Sequence, residues 1–204
     1  MIAVIDYDAG NLFSVANALC AIALARRFGV SLAESAASLA HMAAAGRFEI
    51  VPTQLPAVFV IDYAHNGFSM TSALTTLRAY APKRLWCVTG SVGGRTQSRR
   101  AEIGEAVSLH ADMVVLTADN PDFEDPLAIC EEIHAAFARD IPCECIADRA
   151  EAIRYVVENV REGDIVLLAG KGHEKYQLIR GGNLPFSERA LIEKYAMKAA
   201  AELV

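Results

Sequence analysis

Short apolar runs recur along the chain with longer mixed segments between them. The runs are at 57–61 (AVFVI), 85–89 (LWCVT), 113–116 (MVVL), 143–146 (CECI) and 165–169 (IVLLA). Most are continuous rather than alternating, the pattern of strands covered on both faces. The segments between and after them predict helices over about 69–81, 99–110, 126–139, 150–159 and 188–203. Asp148 and Glu151 give one of these helices a capping-box start, and Asp125 stands where it can cap another. Strand and helix in strict alternation imply an α/β fold, a Rossmann-like, mostly parallel sheet with helices on both faces and right-handed crossovers. Residues 48–53 form one further strand candidate, closed off by Pro52 and Pro56.

The front of the chain has a different rhythm. Residues 2–5 read as a short strand, which Gly10 interrupts. Residues 14–28 are alanine-rich and helical, and Gly29 ends them. Ser31 and Glu34 form a second capping box, opening a helix that runs to about 45, where Gly46 stops it. Two helices and one strand cannot build a sheet, so the expected division is a front part, 1–46, and an α/β domain, 47–204.

A length of 204 residues suits one domain of ordinary size or a domain plus a fragment. The apolar fraction of 53% excludes a disordered chain, and no apolar run is long enough to span a bilayer. The N-terminus lacks a basic region before its apolar residues, so it does not read as a secretory signal. A formal charge of −6 argues against nucleic acid as a partner. The cysteines at 20, 87, 130, 143 and 145 include no CxxC pair, which fits a reducing, cytoplasmic setting and no metal site.

Four polar loops follow the C-terminal ends of predicted strands, where open α/β sheets bind ligands. The stretch LTADNPDFEDP, 116–126, packs four carboxylates, one amide and two prolines into eleven residues. Pro121 and Pro126 stiffen it and hold Asp119 and Asn120 at the strand end. A polar loop that merely leads into a helix explains the same residue types equally well. The second loop, 62–66, carries Asp62, Tyr63 and His65, suited to orienting a nucleotide or a proton, although any one of them alone is more often a loop residue satisfied by backbone. The third, 90–95, has glycines that let backbone approach an anion, and Arg95, which can grip a carboxylate in two-pronged fashion. A flexible turn is its alternative. Cations cluster at Arg95, Arg99 and Arg100 on a helix start, a position that disfavours them unless an anion is present. The fourth, 170–174, reads Gly-Lys-Gly-His-Glu. It has the look of a phosphate loop, but GxxxxGK[ST] is absent from the chain. No GxSxG elbow is present either. His41 and His134 read as ordinary helix residues.

Three of these stretches, IDYAHN, TADNPDFEDP and LLAGKGHEKYQ, in this order and spacing, resemble the C-terminal domain of the Mur ligases that add the third residue of the peptidoglycan stem peptide. Gly46-Arg47-Phe48-Glu49 resembles the GRxE element between the central and C-terminal domains, and LFSVANALCA, 12–21, the last helix region of the central ATPase domain. The resemblance spans about 11–204. It implies a reaction in which ATP, with Mg2+, phosphorylates a carboxylate of a UDP-sugar peptide and an incoming amino group displaces the phosphate. Both ATP and Mg2+ are implied mainly through the central domain. The resemblance places Asn17, Arg47, Asp62, Tyr63 and His65 near the nucleotide. It places Arg95, Asp119, Asn120, Asp122, Gly170 and Glu174 around the amino acid, with Arg95 on its carboxylate.

Two departures qualify the match. Relatives that add meso-diaminopimelate usually carry Arg after Asp-Asn-Pro, where this chain has Asp122. That predicts L-lysine over diaminopimelate. The UDP-binding domain, the phosphate loop and the metal-binding and modified-lysine residues of the central domain are not in the sequence, so the 204 residues are expected to be inactive alone. Apolar surface that a central domain would cover gives a route to self-association. A folylpolyglutamate-synthase-like ligase and a non-catalytic module of the same fold are the competing readings. MIAVIDYDAGN, 1–11, resembles the start of the glutaminase subunit of imidazole glycerol phosphate synthase, but the amidotransferase cysteine motif is missing.

Overall fold

A computed structural model describes residues 11–40, 45–94 and 97–202. They fall into two compact units, on either side of the Ala44–Ala45 bond. The predicted strand at 2–5, the end of the second helix beyond Ala40, and His41 lie outside the described residues.

The smaller unit holds helices α1 (Asn11–Arg27) and α2 (Leu32–Ala40). Gly29, at φ +88°, follows α1 in the left-handed geometry that only glycine adopts freely. Ser31 and Glu34 form the expected reciprocal cap: Glu34 N–H donates to Ser31 Oγ, and Ser31 N–H to Glu34 Oε2.

The larger unit is built on six strands: β1 (Glu49–Val51), β2 (Val58–Asp62), β3 (Leu85–Thr89), β4 (Met113–Thr117), β5 (Cys143–Ile146) and β6 (Ile165–Ala169). Their order in the sheet is β1-β2-β6-β3-β4-β5, parallel throughout except for β1, which runs antiparallel to β2 at the edge. Five helices connect or follow them: α3 (Gly67–Arg78), α4 (Gln97–His110), α5 (Pro126–Ala135), α6 (Arg149–Asn159) and α7 (Glu188–Glu202). From β2 to β5 the chain travels one way across the sheet, and then β6 returns to the slot between β2 and β3. Right-handed crossovers put helices of opposite travel on opposite faces. Accordingly, α6 and α7 pack Ile153, Val156, Val157 and Ile192 against Phe59, Ile61, Trp86, Val88, Val115 and Leu168. The residue between Trp86 and Val88 points the other way: Cys87 Sγ lies 3.8 Å from Met70 Sδ on α3.

Helices α3 and α5 differ from the sequence reading for local reasons. α3 starts at Gly67, because Asn66 caps it and exchanges hydrogen bonds with Ser69. α5 stops at Ala135, because Ala138 N–H donates to Ser108 Oγ and the Arg139 guanidinium donates to Ala111 O, drawing 138–139 onto the end of α4.

A second sheet has no counterpart in the sequence reading. β7 (Tyr176–Ile179) and β8 (Gly182–Pro185) form an antiparallel hairpin over the C-terminal edge of the main sheet. No helix among the described residues is long and apolar enough to cross a membrane.

Candidate functional site

The return of β6 between β2 and β3 brings four loops together at the C-terminal ends of β2, β6, β3 and β4. This is the crevice where chain direction reverses. They surround a cavity of about 320 Å3. The β2 loop lines it with Tyr63 and His65, the β3 loop with Gly90, Ser91 and Val92, the β4 loop with Asp119 and Asn120, and the β6 loop with Gly170 and Glu174. Arg99 on α4 and Tyr176 and Leu178 on β7 complete it.

The floor is a charged network around Lys171, which is fully buried. Its Nζ donates to Asn120 Oδ1 at 2.9 Å and to Glu174 Oε2 at 3.1 Å, and lies 3.5 Å from Asp119 Oδ1. Asn120 Nδ2 donates to Glu174 Oε2 at 2.9 Å, and Leu178 N–H donates to Asn120 Oδ1 at 2.9 Å. These contacts fix which end of the Asn120 amide is oxygen. Two carboxylates face one ammonium group, so the floor carries one net negative charge. Burial first, then the negative charges of Glu174 and Asp119, push the Tyr63 phenol above its usual range. Such a floor accepts hydrogen from ammonium groups, and Arg99 offers a cation for a carboxylate.

Glycines set how closely the loops approach. A Cβ on Gly90 would lie 1.9 Å from Thr117 O, and one on Gly93 would lie 2.0 Å from Pro121 O. These glycines admit neighbouring backbone, which is a structural use of a loop whose sequence also suits an anion. Arg100, 1% exposed, donates to both oxygens of Glu124 at 2.7 Å and to Glu132 at 2.9 Å. Arg100 first, and then Gly94 N–H, hold the Glu124 carboxyl down at about 2. The arginine cluster of the sequence therefore divides. Arg99 faces the cavity, Arg100 ties α4 to the β4 loop and to α5, and Arg95 lies outside the described residues.

On the nucleotide side of the sequence reading, the exposed Arg47 lies over the Tyr63 ring, 4.6 Å from its centre. His65 and His173 flank the same ring at 4.9 and 5.3 Å. His65 Nδ1 is 2.7 Å from Tyr63 O, and donation there leaves Nε2 as an acceptor. Asp62, 2% exposed, accepts from Phe48 N–H and Ala64 N–H and does not line the cavity. Asn17 lies within α1 in the smaller unit. Asp122 does not line the cavity either; its Oδ1 accepts from Gly181 N–H at 2.6 Å. Thus the structure gathers Tyr63, His65, Asp119, Asn120, Gly170 and Glu174 around one space, with Arg47 against Tyr63.

Lys171, His173, Tyr176 and Leu178 were not among the sequence candidates. The signal for Lys171 was its place between two glycines, and for β7 the Gly181-Gly182 pair, a hairpin turn signal. Among the described residues no group of three or more His, Cys, Asp or Glu is placed to hold a metal ion.

Residues 46–172 match the family described as Mur ligase, glutamate ligase domain. The chain is 39% identical over 185 residues to the UDP-N-acetylmuramoyl-L-alanyl-D-glutamate--2,6-diaminopimelate ligase of Caldanaerobacter subterraneus subsp. tengcongensis, an alignment that takes in 90% of this chain and 38% of the relative. It is 38% identical over 186 residues to the UDP-N-acetylmuramoyl-L-alanyl-D-glutamate--L-lysine ligase of Streptococcus sanguinis, again 90% of this chain and 38% of the relative. A solved structure of a UDP-N-acetylmuramoyl-L-alanyl-D-glutamate--2,6-diaminopimelate ligase superposes with a TM-score of 0.71 at 33% identity, over 93% of this chain and 39% of that one. The chain therefore spans less than half the length of these relatives.

Proposed function

Because the chain belongs to the Mur ligase family, glutamate ligase domain, we propose that residues 47–204 are the amino-acid-binding domain of a cytoplasmic, ATP-dependent ligase of peptidoglycan synthesis. The ligase adds a diamino acid to UDP-N-acetylmuramoyl-L-alanyl-D-glutamate. In such a ligase ATP, held with Mg2+, would supply the phosphoryl group that turns a carboxylate of the UDP-sugar peptide into an acyl phosphate, with ADP leaving. The amine of the diamino acid attacks that carbonyl, the C–N bond forms, the C–O bond to phosphate breaks, and the amine proton passes to solvent. The residues here do the positioning. Asp119, Asn120 and Glu174 accept from the ammonium groups, and Arg95 and Arg99 hold a carboxylate. Arg47, Tyr63 and His65 border the nucleotide.

The observation that carries this reading is the cavity at the sheet's reversal point, with Asp119, Asn120 and Glu174 on its walls and one net negative charge beneath. L-lysine is the favoured diamino acid. Position 122, after Asn-Pro, is acidic and supplies no cation for the second carboxylate of meso-diaminopimelate. The names of most of the similar proteins favour the second reading, meso-diaminopimelate. The 204 residues by themselves carry no GxxxxGK[ST] and are assigned binding without turnover.

A thermal-shift titration with each amino acid and with ADP tests these assignments, since a ligand that binds the native state raises its stability. The reading expects a shift with L-lysine exceeding that with diaminopimelate. A larger shift with diaminopimelate replaces lysine as the substrate. An ADP-forming rate from the 204 residues alone refutes the division of labour. No shift with either amino acid leaves a binding or interaction module of the same fold that has lost its ligand.

A further inference from the structure

Asp122 adopts a left-handed backbone, φ +53°, which Asp and Asn tolerate better than most side-chain-bearing residues. That turn aims three groups at the β7–β8 hairpin. Asp122 N–H donates to Leu178 O at 3.1 Å, and Arg180 N–H donates to Asp122 O at 2.9 Å. Gly181 N–H, at the hairpin's turn, donates to Asp122 Oδ1 at 2.6 Å. The first two contacts make a parallel bridge between Asp122 and Ile179. The other strand end is held from the same loop, since Gln177 donates to Asp119 O and Leu178 N–H to Asn120 Oδ1. The residues so positioned matter to the cavity: Tyr176 and Leu178 line it, whereas Asp122 does not.

We propose that Asp122 is a positioning residue that clamps the β7–β8 hairpin as one wall of the cavity, and that it acts on amino-acid binding through the placement of that wall rather than through its charge. The consequence for binding rests on the reading of the cavity as an amino-acid site; the clamp does not. An Asp carboxylate already bonded to a backbone N–H at the hairpin turn is turned away from the ligand space. What it contributes there is the position of Tyr176 and Leu178.

Two variants of the 204-residue chain separate clamp from charge. Asp122→Asn keeps an acceptor oxygen for Gly181 N–H and a residue tolerant of the left-handed backbone, and removes only the charge. Asp122→Gly keeps the backbone freedom and removes the acceptor. Amide hydrogen exchange over 176–185 reads the hairpin, and calorimetry with L-lysine and meso-diaminopimelate reads the cavity. Asp122→Asn is expected to leave exchange, and the ratio of the two affinities, within about threefold of the unmodified chain. Asp122→Gly is expected to speed exchange at Arg180 and Gly181 about tenfold or more, the scale of a lost charge-assisted hydrogen bond. It is also expected to weaken both amino acids together. Unchanged exchange in Asp122→Gly overturns the clamp. A tenfold change in the affinity ratio in Asp122→Asn, with exchange unchanged, assigns selection to the charge and overturns the proposal. If the unmodified chain binds neither amino acid, the reading of the cavity fails, and the exchange data alone decide the clamp.

Discussion

Replacing Lys171 by Met removes one ammonium group and keeps nearly the same side-chain length and volume. The lysine stem passes the Tyr176 and Phe186 rings, with Nζ 5.7 and 5.8 Å from their centres, so Met retains apolar neighbours. What is lost is the partner of two carboxylates. Asp119 is 3% exposed and the Glu174 side chain 15%, so neither reaches enough water to replace Nζ. Breaking a buried pair by removing one partner costs about 3–5 kcal/mol. Because Glu174 keeps some contact with solvent, the lower end, about 3 kcal/mol, is the expected loss. In a chain of this size that lowers Tm by roughly 6–12 °C. Urea and thermal unfolding at neutral pH, in low and high salt, measure it. The effect should change little with salt, because buried charges are weakly screened. Adding Glu174→Gln to Lys171→Met should recover a large part of the loss, since a neutral amide is not an unpaired charge. A loss below about 1 kcal/mol, or one that disappears in high salt, would place Lys171 among ordinary surface pairs and refute the network as the anchor of the site.

Further expectations concern the scaffold beneath the loops. Glu124→Gln weakens the tie between the β3 and β4 loops. Glu124 is 31% exposed and Glu132 still serves Arg100, so the expected cost, by urea midpoint, is near the lower end of about 1.5–3 kcal/mol. Because Arg100 and Gly94 N–H hold the Glu124 carboxyl at about 2, below its ordinary 4.5, this stability is complete above the ordinary range and is lost as pH falls through about 2. The unmodified chain should therefore lose more stability than Glu124→Gln as pH falls through that window in acid-unfolding titrations. Gly93→Ala puts a methyl group 2.0 Å from Pro121 O and should cost about 1–3 kcal/mol while weakening L-lysine binding, as calorimetry would show. Arg149→Met strips the donor from Glu188 and from the carbonyls of Ala118 and Ala169, which immediately precede Asp119 and Gly170. The loss expected by thermal unfolding is about 3–5 kcal/mol, and Glu188→Gln added to it should restore part.

The main sheet was legible because its strands are continuous apolar runs, each followed by a polar loop, and those loops mark the carboxyl ends. The order of the strands was not. Nothing local says that β6 returns between β2 and β3, and that return is what makes one cavity from four loops. The hairpin escaped for a different reason. Tyr176-Gln177-Leu178-Ile179 and Gly182-Asn183-Leu184-Pro185 are four residues each, with β8 fully exposed, so neither shows a buried period. Gly90 and Gly93 were visible as glycines, but their use, admitting the backbone of the β4 loop, is a tertiary relation. Lys171 illustrates the same limit. Between two glycines it reads as a phosphate ligand, and only the meeting of the β4 and β6 loops turns its ammonium group onto Asp119, Asn120 and Glu174. Capping signals behaved best, because they are complete within a few residues: Ser31 with Glu34 and Asp125 before Pro126 cap as their spacing predicts, and Asp148 caps α6 although the Glu151 side chain pairs with Arg154 instead of closing the box.

The most direct test of the amino-acid site is a titration of the isotope-labelled chain with L-lysine, followed through its amide resonances. The account predicts saturable shifts concentrated at Ser91, Asp119, Asn120, Gly170, Glu174 and Tyr176, the residues that line the four-loop cavity. Shifts confined elsewhere, such as the groove beside Pro52, Glu193 and Met197, or no saturable shift with either L-lysine or meso-diaminopimelate, would contradict it.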